Sequence, residues 1–97
     1  MMKEVKIFQI QNDAKYKFMS YDFAKPMLNL NDYTLVANFN TNEVDDNKIL
    51  NTVWNEGNDG TLQIQFPKMY SVSMSNIIEI DNIKYYVDTF GFKEVEL

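Results

Sequence analysis

The chain contains no cysteine and no histidine. The first absence excludes disulfides, thiol nucleophiles and cysteine–zinc sites. The second removes the usual general base near neutral pH and the commonest metal ligand, so Ser-His-Asp and Cys-His schemes cannot be assembled. Three glycines and two prolines are too few for long linkers or collagen-like character. No run approaches the ~20 apolar residues that span a bilayer, and the apolar stretch of a signal peptide does not follow Met1–Lys6. A small domain without cysteine suits a reducing cytoplasm, the expected compartment. Positive charge is also scarce: nine Lys and Arg stand against fourteen Asp and Glu, a net charge of −5. That disfavours direct contact with nucleic acid or an anionic membrane. It serves solubility, or the docking of an acidic face on a basic partner.

Aromatic residues are plentiful. Seven Phe, six Tyr and one Trp supply broad apolar faces. Ninety-seven residues are expected to form one domain, 1–97, with a single core. Its centre is read as a hairpin. Ile78 and Ile80 share one strand face and Ile77 and Glu79 the other; Asp81-Asn82 tolerate the positive φ angles of a type I′ turn. Ile83, Tyr85 and Val87 then oppose Lys84, Tyr86 and Asp88. Gly91, between Phe90 and Phe92, marks a bend, and Lys93–Leu97 a short last strand.

Earlier in the chain, Val5–Gln11 reads as a strand. Ser20 is placed to cap a short helix over Tyr21–Ala24, which Pro26 ends. Tyr33–Phe39 reads as a second strand with Tyr33, Leu35, Ala37 and Phe39 on one face. Glu43–Glu56 is the main helix, since Ile49, Leu50, Val53 and Trp54 recur at helical spacing. Asp45 or Asp46 would cap it, Gly57 would stop it and Trp54 would anchor it to the sheet. A loop is expected at Asn55–Gly60. Thr61–Phe66 alternates and reads as an edge strand ahead of Pro67, open to pairing with another chain. The fold class is therefore α+β: a mainly antiparallel sheet with one main helix, near Asp46–Asn55, packed on one face.

Few constellations could carry chemistry. Lys68 with Ser71, Ser73 and Ser75 would need a desolvated lysine, and nothing around it supplies that. The loop near Asp59-Gly60 lacks the ligands of a calcium loop. No metal or cofactor site is expected, and the chain reads as a non-enzyme. What remains is a surface. Glu43, Asp45, Asp46, Glu56 and Asp59 cluster around the main helix with only Lys48 to offset them. They read either as a solvated face with its caps or as a patch that docks on a positively charged groove.

Ile7-Phe8-Gln9, Tyr16–Asp22, Asp32-Tyr33, Ser73–Ile78 and Tyr85–Phe92 together resemble the YodL-like domain over nearly the whole chain. The residues carrying the tail motif are Ser73, Ser75, Asn76, Tyr86, Asp88 and Gly91. In the family an aspartate commonly follows the serine run; Asn76 stands there in this chain, which keeps a capping role and removes the charge. The resemblance implies a small non-enzymatic module of Gram-positive mobile genetic elements. Its partner would be a host protein. One expectation is an anti-CRISPR-type inhibitor that occupies the basic guide or target channel of Cas9. The other is a regulator that binds a bacterial actin-like protein.

Overall fold

Asp81 and Asn82 both take positive φ, 46° and 71°, and turn the chain back on itself. The strands they join are β3 (Ile77–Ile80) and β4 (Ile83–Val87). The computed structural model describes residues 2–97. Within them β3 is the middle of five antiparallel strands in the order β2-β1-β3-β4-β5. The others are β1 (Lys3–Ile10), β2 (Tyr33–Thr41) and β5 (Phe92–Val95). All four residues of β3 are buried, as the middle strand of a sheet covered on both faces requires.

The two faces have different covers. On one lie α2 (Asp46–Asn58) and α3 (Thr61–Gln65). Ile49, Leu50, Val53 and Leu62 from these helices meet Val5, Ile7, Ala37, Ile78, Ile80 and Val87 from the sheet. On the other lies the connection between β1 and β2, with the short helix α1 (Tyr21–Ala24) and a 3-10 turn at Leu30–Asp32. There Tyr16 and Ala24 pack with Ile10, Tyr33, Ile77 and Tyr86. Glu79 also faces this side and is only 7% exposed. It is in register with Lys6 on β1 and Lys84 on β4 and is held by both, at 3.8 and 3.0 Å.

Several expectations hold. Ser20 caps α1 by accepting from Phe23 N–H, and Asp45 caps α2 by accepting from Asn47 N–H. Four others need correction. Thr61–Gln65 is helical, not a strand: Gly60 sits at φ 94° and Asp59 accepts from Thr61 N–H, which starts a turn. Leu62 then faces the core and Phe66 packs against it, four residues apart on one helical side, while Ile64 is 87% exposed. Gly57 does not stop α2; it lies buried inside the helix, which runs on to Asn58 through the expected loop. Trp54 is 41% exposed and lies beside the buried row Ile49, Leu50, Val53 and Gly57 instead of anchoring it. Leu35 does not share a face with Ala37. The register slips between Ile7 and Phe8, whose partners are Ala37 and Leu35, and the extra residue Val36 breaks the alternation.

Candidate functional site

The motif residues of the tail meet at one place, where the β1–β2 connection crosses the ends of β3 and β4. Ser75 is fully buried at φ 81°, and its hydroxyl accepts from Phe18 N–H at 2.9 Å. Its carbonyl accepts from the Tyr33 hydroxyl at 2.6 Å. Tyr86 donates to the Met19 carbonyl at 2.7 Å. Asp88 accepts from Tyr21 N–H and Thr89 N–H. Asp88 N–H in turn donates to the Gly91 carbonyl across a bend that needs φ 78° at Gly91. Asn76, also fully buried, accepts from Ser73 N–H and from Gln9 Nε2. Ser75, Asn76, Tyr86 and Asp88 thus bind other parts of the chain and fasten its connections to the sheet. Desolvation pushes the phenols of Tyr33 and Tyr86 well above the usual tyrosine range, so both remain neutral donors.

The five carboxylates around the helix do not form one patch. Asp45 and Asp46 stand at the start of α2 and Asp59 at its far end, about 20 Å away at 1.5 Å per residue. Asp46 accepts from Lys3 at 2.7 Å and from the Tyr85 hydroxyl at 2.8 Å. The Lys3 hydrogen bond, assisted by Tyr85, holds its carboxyl below the usual carboxylate range. Asp59 is likewise lowered by its bonds to Thr61. Glu43 accepts from Val44 and Asp45 N–H.

The topology adds acids that sequence proximity hides. The hairpin turn lies beside the N-terminus of β1, where Glu4 N–H donates to Asp81 Oδ1 and Asp81 N–H to the Glu4 carbonyl. Asp46, Asp81 and Asp45 all raise the pKa of Lys3, the Asp46 hydrogen bond most. Glu4, Asp45, Asp46 and Asp81 therefore share one end of the sheet, where Asp45, Asp46 and Asp81 act on Lys3 and Lys48 lies in the first turn of α2. The hairpin alone shows only that its turn falls beside an end of whichever strand pairs with β3; that this strand is β1 comes from the topology. Among the described residues no group of three or more acidic side chains could hold a metal ion.

Glu43 and Glu56 belong to a different feature. They lie with Phe39, Thr41, Ile49, Thr52, Val53 and Leu62 around a cleft of about 70 Å³ between β2 and α2. That is room for an alkyl chain, far below the ~300 Å³ of an ordinary small-molecule site. Phe18, Met19 and Phe23 of the β1–β2 connection and Phe90 between β4 and β5 are exposed, Phe90 almost fully. No helix among the described residues is long and apolar enough to cross a membrane.

A family model described as the YodL-like domain matches residues 4–97. No curated protein and no solved structure matches the chain.

Proposed function

The chain belongs to the YodL-like domain family, and on that premise we propose that it is a non-enzymatic binding protein that docks an acidic surface on a basic groove of a host protein. The specific partner is Cas9, whose guide and target channel is electropositive because it holds a nucleic-acid backbone. In this reading the protein comes from a mobile element, works in the host cytoplasm and inhibits the nuclease by occupying that channel. The observation that carries it is that Asp45, Asp46 and Asp81 converge on Lys3 at one end of the sheet, with Glu4 next to Asp81 along the chain edge. Four carboxylates on one end of a small rigid sheet make a local negative field, which speeds encounter with a positive groove and rejects anionic surfaces. Asp46 is largely committed to Lys3 and Tyr85, so in this reading Glu4 and the second oxygens of Asp45 and Asp81, whose first oxygens hold Asn47 and Glu4 N–H, face the partner.

Co-purification with Cas9 and a DNA-cleavage assay test the proposal. Retention on Cas9 and loss of cleavage are expected. No retention and undiminished cleavage would overturn the choice of partner. Rounded cells on overexpression, with cleavage intact, would assign the partner to the actin-like cytoskeleton instead.

A further inference from the structure

The sheet has two edges, and they differ. β5 is four residues long and carries Lys93 and Glu94 at its middle. Charged residues and shortness are the usual means of keeping an edge from pairing. β2 has neither. It runs nine residues, Tyr33–Thr41, with no charged residue and no proline. Its one irregularity is the bulge at Val36, after which Ala37 to Thr41 pair regularly with β1. Among the described residues, no group outside β1 hydrogen-bonds to the main chain of residues 34–40, so the outer N–H and C=O groups of this strand are open.

The cleft described above adjoins the same stretch. Phe39 and Thr41 form its β2 wall, Ile49, Thr52 and Val53 its α2 wall, and Leu62 comes from α3. Glu43 and Glu56 line it as well, and among the described residues neither is in an ion pair. An extended chain laid along β2 would alternate its side chains, sending one out of every two toward the helix side, next to Phe39 and Thr41. A lysine or arginine there would bury its alkyl stem in the apolar cleft and leave its charge at the rim beside the two carboxylates.

We propose that the free edge of β2 binds an extended segment of a partner protein by strand addition, with one lysine or arginine of that segment in the cleft between Glu43 and Glu56. Main-chain bonds would supply affinity and the cleft the choice of side chain. Charge complementarity favours this occupant over a second copy, because each copy carries −5 and offers the cleft no cation along β2. The inference goes beyond the docking reading: it uses another surface and holds whether or not Cas9 is the partner.

The probe is a capped peptide, Thr-Val-Thr-Lys-Thr-Val-Thr, with versions carrying arginine or glutamate at the centre. Isotope-labelled protein is titrated with each, and binding is followed by amide shifts and by amide hydrogen exchange. The lysine and arginine peptides are expected to shift Phe39, Thr41 and Thr52 and to slow exchange along residues 34–40; the glutamate peptide is not. Glu43→Gln and Glu56→Gln keep an oxygen in place and are each expected to weaken the lysine peptide ~2- to 5-fold, the size of a partly exposed ion pair. Equal binding of the lysine and glutamate peptides, protection at β5 instead, or no binding at millimolar peptide would overturn the proposal. So would concentration-dependent dimerisation of the protein through β2. None of these outcomes touches the acidic end, so this inference and the Cas9 reading fail separately.

Discussion

A β-carbon on Gly57 would stand 2.3 Å from Val72 Cγ2, inside the packed core. Glycine in a helix interior costs about 1 kcal/mol relative to alanine, so an isolated helix would gain from the change. Overpacking a tight core costs about 1–3 kcal/mol, and Val72 is itself held by an N–H bond to the Gly57 carbonyl. Gly57→Ala is therefore expected to lower the urea midpoint; a higher midpoint would show that Val72 can move aside. This residue was misread in the sequence because a glycine at a helix end and a glycine under a close approach look alike until the neighbour is known. Asp46 gives a pH test. Its carboxyl is lowered below 3.8 by the Lys3 bond, so its contribution is fully present above that value and is lost as pH falls through the lowered one. The stability gap between the wild type and Asp46→Asn should be constant near neutrality and close as pH drops below about 4. A gap that widens in acid would contradict the pairing.

At the scale of elements, the hairpin and α2 were legible and α3 was not. The hairpin declared itself through strict alternation and a turn pair that accepts positive φ, and both arms fell on the expected faces. In Thr61–Phe66 the same alternation misled. Leu62, Ile64 and Phe66 satisfy a period of two, but Leu62 and Phe66 also satisfy i, i+4. The turn set by Gly60 and Asp59 decided between them. The connection between β1 and β2 was legible only as fragments, because its order comes from distant partners: Ser75 for Phe18, Tyr86 for Met19 and Asp88 for Tyr21. Tyr86→Phe removes one of these bonds and leaves the Met19 carbonyl without its donor, at an expected loss of about 1–2 kcal/mol. Hydrogen exchange should quicken in residues 16–24 while β1 and β3 stay protected. Uniform quickening across the sheet would mean that the connection and the sheet unfold as one unit.

At the scale of the whole molecule, the acidic residues divide into separate tasks. Asp59 and Glu43 satisfy backbone N–H groups, and Glu79 is clasped inside the sheet between two lysines. Asp45 and Asp81 also each hold one backbone N–H, and together with Glu4 they set the field of one end of the sheet. Composition and charge made an acidic surface legible, and the run around the main helix located half of it. Glu4 and Asp81 join it only because antiparallel pairing brings the start of β1 beside the hairpin turn, and that requires the topology. The direct measurement is the affinity for Cas9 between ~50 and ~200 mM salt, a range over which screening shortens appreciably, for the wild type and for Glu4→Gln with Asp81→Asn. Docking of the acidic end on a basic channel predicts an affinity that falls steadily with salt and a double variant that binds more weakly with a shallower slope. An affinity that is flat in salt and the same in both proteins would contradict it.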